Sequence, residues 1–147
     1  MNEFKVIFTG CRNWTDEAMV HEVLFRIYSK HDNLKVIVGD CKTGVDRIVL
    51  EWCKSRCINH KVFCAEWIRH GKRAGPLRNS DMVNYGADMC VGFVSETSRG
   101  TLDCLSQAIQ SGIDSVAYFK HLSKWLSGDG VKMAVYAKML DNRNNRK

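Results

Sequence analysis

Short apolar runs alternate with longer amphipathic stretches from one end of the chain to the other. The β-rich runs are Lys5 to Thr9, Lys35 to Val38, Lys61 to Cys64, Met89 to Val94 and Ser115 to Phe119. Between them, helix-length amphipathic segments run from about Thr15 to His31, Gly44 to Cys57, Pro76 to Tyr85 and Thr101 to Ser111. This alternation is the mark of stacked βαβ units, and it predicts an α/β three-layer sandwich around a mostly parallel five-stranded sheet. Thr15 is placed to cap the first helix, with Asp16 and Glu17 where negative charge suits the helix dipole, and Gly112 to end the fourth. After Phe119 the pattern changes. His121 to Leu126 and Val131 to Leu140 predict two shorter helices split by Ser127, Gly128, Asp129 and Gly130. Trp125, Val131, Met133, Val135, Tyr136 and Met139 give them apolar surface, either for packing on the body or for pairing with a second chain.

A chain of 147 residues supports one core, so residues 1–120 are expected to form the ligand-binding body and 121–147 a helical extension of the same domain with a basic tail. A hydrophobic content of 45% with 26% charged residues excludes a disordered or membrane class. No apolar run is long enough to span a bilayer, the N-terminus lacks the order of a secretory signal, and a cytoplasmic setting is expected. The seven cysteines include no CxxC pair and read as reduced thiols. Cys53 and Cys57 share a helix face near His60, but structural zinc takes two well-spaced ligand pairs, so no metal is expected, nor any cofactor. The net charge of +6 favours acidic partners, although part of it sits in the run Asn142 to Lys147, read as a frayed tail.

Candidate chemistry gathers in the loops that leave the carboxyl ends of the strands, where α/β sheets bind ligands. These loops are Gly10-Cys11-Arg12-Asn13-Trp14, then Gly39 to Arg47, then the stretch after Ala65, then Ser95 to Thr101. Each carries glycine and at least one cation, a combination the opposite edge lacks. Trp67 to Asn79, WIRHGKRAGPLRN, is the densest, with Arg69, His70, Lys72, Arg73 and Arg78 around Gly75. Pro76 suits the first position of a helix, whose free amides would face the same cations and hold phosphate. A solvated basic loop is the other reading of that stretch. Gly44 and Gly100 stand at helix starts, where a missing Cβ lets an anion approach the amides. Lys42 and Arg99 add cations, and Thr43, Ser98 and Thr101 add hydroxyls that also serve as ordinary caps. Asp40 and Asp46 could accept from ribose hydroxyls or make local turns and ion pairs. Trp14 and Trp67 could stack on a base or lie as lids on the core. No Lys-Ser/Thr follows Gly44 and no GxGxxG follows the first strand, so a P-loop and a dinucleotide fingerprint are both disfavoured.

TGCRNW, GDCKTGVDR, WIRHGKRAGPLRN and SRGT, in this order, resemble the SLOG superfamily, in particular small stand-alone members of the YspA/YpsA type. The resemblance covers roughly Phe4 to Phe119. It implies a Rossmann-like sheet that binds nucleotides or their derivatives, in proteins that act as sensors in conflict systems such as anti-phage defence, in DNA processing, or as phosphoribohydrolases. Carried over, it implies ligand contacts from Gly10, Arg12, Gly39, Asp40, Gly44, Asp46, Arg47, His70, Gly75, Arg78, Asn79, Gly100 and Thr101. The phosphoribohydrolases resemble a PGGxGTxxE pattern with a catalytic glutamate. Here Cys104 stands at that position and Asp103, one residue earlier, points elsewhere on the helix, so the resemblance leans away from an enzyme.

Three functions are consistent with this sequence. The first is a module that senses or sequesters a phosphate-bearing nucleotide derivative, ADP-ribose-like or cyclic. The second is a nucleotide hydrolase using Asp40, Asp46, Glu96 or His70 as acid or base. Third comes single-stranded nucleic-acid binding by cations and tryptophans, ranked last because the cations cluster in one loop. A homo-oligomer is expected through the C-terminal helices, and no membrane partner.

Overall fold

The computed structural model describes residues 2–96 and 98–145; Thr97 of the fourth strand-exit loop and Arg146 and Lys147 of the basic tail lie outside the described residues. Strands Phe4–Gly10 (β1), Leu34–Gly39 (β2), Asn59–Phe63 (β3), Met89–Val94 (β4), Asp114–Phe119 (β5) and Lys124–Ser127 (β6) build a six-stranded sheet of order β3-β2-β1-β4-β5-β6. All neighbours run parallel except β5 and β6. The helices are Glu17–Lys30 (α1), Gly44–Ser55 (α2), Trp67–His70 (α3), Ala74–Tyr85 (α4), Arg99–Gln110 (α5) and Gly128–Asn144 (α6).

Side-chain alternation along the strands divides the core into two layers, because successive Cβ atoms point to opposite faces. Val6, Phe8, Val36, Val38, Val91 and Phe93 face α1 and α2, and meet Val20, Leu24 and Ile27 of one helix and Val45, Ile48, Val49 and Trp52 of the other. Ile7, Ile37, Cys90, Val94, Ala117 and Phe119 face the opposite way, toward Met82, Leu102, Leu105, Val131 and Val135 of α4, α5 and α6. The spacing of Val20, Leu24 and Ile27 is that of one helical stripe, and burying each such side chain is worth about 1.5–3 kcal/mol. The result is a Rossmann-like three-layer sandwich.

Three local expectations are corrected. The first helix is capped by Asp16, whose Oδ1 accepts from the Met19 amide at 3.1 Å, and not by Thr15. Pro76 is the third residue of α4, not the first, since α3 and a 3₁₀ turn over Gly71–Arg73 lead straight into Ala74. A first-turn proline still removes no helical hydrogen bond there.

The region after β5 is a strand and one long helix instead of two short helices. Lys124–Ser127 turns back on β5, pairing Tyr118 with Trp125 and Ala117 with Leu126. Trp125 lies against the rings of Tyr118 at 5.6 Å and Phe93 at 5.5 Å, a cross-strand aromatic contact that outweighs the helical pattern of so short a segment. Gly128, Asp129 and Gly130 form the first turn of α6, where glycine costs little, and burial of Val131 and Val135 holds that turn on the sheet. Within the supposed tail, Asn142 to Asn144 belong to α6. No helix among the described residues is long and apolar enough to cross a membrane.

Candidate functional site

Strand β1 has β2 on one side and β4 on the other, so the connections leaving β1 and β4 diverge and open a cleft at the switch in strand order. The cleft, about 260 Å³, is lined by Thr9, Gly10, Cys11, Arg12 and Asn13 from β1, Gly39, Cys41 and Asp46 from the β2 exit and α2, Arg78 and Asn79 from α4, and Ser98 to Thr101 from the start of α5.

Each wall has a structural reason to stand where it does. The Cys11 amide donates to the Phe93 carbonyl at 3.3 Å, tying the β1 exit to β4, and the Cys11 carbonyl accepts from Trp14 and from Val45 at the head of α2. That head is therefore held by protein. A Cβ on Gly10 would overlap Val45, and one on Gly44, whose φ is +70, would overlap the Cys11 carbonyl. These glycines let α2 close on the β1 loop.

A polar chain crosses the floor. Arg78 Nη1 donates to Asp40 Oδ1 at 3.0 Å and its Nε to Asn79 Oδ1 at 3.0 Å, while Asn79 Nδ2 donates to the Gly100 carbonyl at 3.2 Å and to Asp103 Oδ2 at 3.0 Å. Gln107 donates to the same Asp103 oxygen at 2.9 Å. Asp40 also accepts from the Ala65 amide at 3.2 Å. This chain fixes α4 to the exit of β2 and to the first turn of α5. Asp46, only 8% exposed, accepts from the Cys41 amide at 3.1 Å. Burial pushes its carboxyl from an ordinary 3.8 up to about 6, against the opposing pull of the Cys41 amide and the Arg78 charge.

The opening of α5 is the electropositive feature. Ser98 sits at its cap, but its hydroxyl faces backward, accepting from the Ser95 amide at 2.9 Å, and makes no capping bond to the helix. Leu102 is bonded to the Ser98 carbonyl, which leaves the amides of Arg99, Gly100 and Thr101 as the orphan donors of the first turn. These residues line the same cleft as Arg12 and Arg78, and a Cβ on Gly100 would meet open space.

Of the residues singled out from sequence, the structure thus brings together Gly10, Arg12, Gly39, Asp46, Arg78, Asn79, Ser98, Arg99, Gly100 and Thr101. Asp40 stands behind Arg78 as its partner. Others lie elsewhere. Arg47 turns outward to Glu51 at 2.9 Å and Glu17 at 3.2 Å, because α1 and α2 pack side by side and present carboxylates. Lys42 and Thr43 are exposed beside the cleft. Trp14 is 7% exposed, its ring against Phe93 and Tyr118 and its Nε1 donating to the Asp16 carbonyl at 3.0 Å, so it is a core lid. Trp67 lies on exposed α3 over Gly75, and Arg69 and His70 approach Glu66 at 3.6 and 3.7 Å. Of the 67–79 stretch only Arg78 and Asn79 line the cleft, whose remaining basic side chains are Arg12 and Arg99. Thr9 and Asn13 are wall residues not expected from the sequence, although Thr9 precedes Gly10 and Asn13 lies in the same exit loop.

Cys104 is fully buried beside Cys90 on the sheet side of α5, while Asp103 points to α4. Cys53 is buried in the core, its thiol pushed up to about 12 by desolvation, and no group of three metal-ligating side chains occurs among the described residues.

The model of the YspA, cpYpsA-related SLOG family (YAcAr) matches residues 4–70. Over 119 residues the chain is 32% identical to the Gene 61 protein of Mycobacterium phage D29, an alignment covering 78% of this chain and 95% of that protein. No solved structure matches it. The matched segment runs from β1 through α3 and contains the Gly10 and Gly39 loops that form one wall of the cleft. On the sandwich fold, the ordered motifs and these two likenesses, the chain belongs to the YspA, cpYpsA-related SLOG family.

Proposed function

We propose that the cleft binds a nucleotide-derived, phosphate-bearing small molecule, ADP-ribose-like or cyclic, and that the protein senses or sequesters it. Nucleotide-related ligand binding in general comes with the family; the phosphate-bearing ligand is supported by one observation. The first-turn amides of α5, left uncapped by Ser98, belong to residues that line the same switch-point cleft as Arg12 and Arg78. Helix amides and guanidinium groups that converge in this way hold phosphate by charge-assisted hydrogen bonds. Isothermal titration calorimetry against AMP, ADP, ADP-ribose and a cyclic nucleotide tests it. Heat is expected with at least one of them, and Gly100→Leu, which projects a side chain into the open cleft, abolishes it. A folded protein that gives no heat with any of them sinks the proposal.

A second reading, hydrolysis of the nucleotide, is favoured by Asp46 alone. A buried carboxyl with a pKa near 6 at the cleft wall is suited to proton transfer. Against the phosphoribohydrolase form of this reading stands the burial of Cys104, which removes position 104 from the cleft. Chromatography of incubated nucleotide decides: product that forms with the wild type and is lost in Asp46→Asn establishes the enzyme.

A further inference from the structure

Alone, the first cleft is undersized. Its volume of about 260 Å³ falls below the ~300–1,000 Å³ of ordinary small-molecule sites. A second cavity of about 580 Å³ adjoins it at the same edge of the sheet, at the exits of β1, β4 and β5, and the two share Cys11 and Asn13 as a common wall. The 11–13 turn contributes to both cavities and is pinned by the Cys11 bonds to Phe93 and Val45.

The two cavities differ in chemistry. The first presents three arginines and the amides of α5. The second contains no arginine: its acidic and basic side chains are Asp16, Glu96, Lys120 and His121, of mixed sign, beside the neutral polar Asn13, Thr15 and Ser95 and the aromatic walls of Trp14 and Tyr118. Trp14 is a rigid wall, held by its bond to the Asp16 carbonyl and by contacts to two other rings. Carboxylates repel a phosphate but accept from sugar hydroxyls, and an aromatic face packs on a sugar or base.

We infer that the second cavity is a subsite for an uncharged, hydroxyl-bearing lobe joined through the phosphates held in the first, so that the ligand is a two-lobed nucleoside diphosphate sugar and not a mononucleotide. The inference rests on the phosphate reading of the first cleft. In a ligand of this class, the diphosphate spans the 11–13 turn, and the terminal sugar meets Glu96 and His121.

Calorimetry with AMP and with ADP-ribose, on the wild type and on variants of the second cavity, tests it. ADP-ribose should bind about tenfold or more tightly than AMP, a difference of about 1.4 kcal/mol or greater. Met19→Trp, which fills the second cavity from α1, should erase that advantage and leave AMP binding unchanged. Because Met19 also packs against the core, the double variant Glu96→Gln/His121→Ala, on exposed residues, provides a milder version with the same expected loss. Equal affinities for the two probes, or variants that weaken both alike, overturn the second subsite while leaving the phosphate site standing. No binding of either probe by folded wild type overturns the phosphate reading and this inference with it.

Discussion

Arg78 Nη1 lies 3.0 Å from Asp40 Oδ1, with the arginine side chain 15% exposed and the aspartate 31%, so a cation on α4 is held against the exit of β2 before any ligand arrives. Arg78→Ala leaves Asp40 with the Ala65 amide alone. Half-burial of a charge stripped of its partner is expected to lower unfolding stability by about 1–3 kcal/mol, read from urea denaturation. Nucleotide affinity should fall as well. Arg78→Lys keeps the charge but lacks the fork that reaches both Asp40 and Asn79, and should recover only part of each.

Glycines at the cleft fall into two classes that mutation separates. Gly44→Ala puts a Cβ into the Cys11 carbonyl at a φ of +70, and a cost of about 2 kcal/mol or more is expected. Gly100→Ala meets open space in a helix and should leave stability equal or raised by up to about 1 kcal/mol. Thermal unfolding of the two variants side by side checks the contrast.

Asp46 makes stability depend on pH in a stated direction. Its carboxyl holds a proton up to about pH 6 in the folded chain but only to about 3.8 when unfolded, so the folded state binds the extra proton between those values. Stability therefore falls as pH rises from about 4 to about 6 and stays at the lower level above, by at most about 3 kcal/mol for this group. Asp46→Asn keeps an acceptor for the Cys41 amide and removes the charge. It should stabilise the protein at pH 7.5 and lose that advantage near pH 4, measured by denaturant midpoints at both values.

Arg47 serves as a contrast. Its pairs with Glu17 and Glu51 are solvent-exposed, and Arg47→Ala should leave the urea midpoint nearly unchanged and nucleotide binding untouched.

The sandwich was legible in the sequence because five strands are short apolar runs and the helices between them have clean stripes, as in Val20, Leu24 and Ile27. The sixth strand was not, because Lys124–Ser127 is four residues long and owes its conformation to Tyr118 and Phe93, distant in sequence. For the cleft, glycine and cation counts pointed to the strand-exit edge, where the structure opens a cleft. They could not separate Arg78 from Arg47, since what divides them is the partner each finds: Asp40 at the cleft floor for one, carboxylates of two outer helices for the other. Likewise the dense 67–79 stretch drew attention by composition, while the uncapped head of α5 depends on where the Ser98 hydroxyl turns, a matter of a single rotamer.

Cys104 has a consequence for descent. The position that carries a glutamate in the PGGxGTxxE pattern is here packed at zero exposure against Cys90, and the hydrogen bond between the two thiols and their burial push Cys90 well above its usual range. Cys104→Glu would set a carboxylate into that apolar layer at a penalty of several kcal/mol, a large fraction of the ~5–15 kcal/mol that holds a typical domain. A glutamate at position 104 would demand prior repacking of the layer beneath α5, and one codon would not suffice.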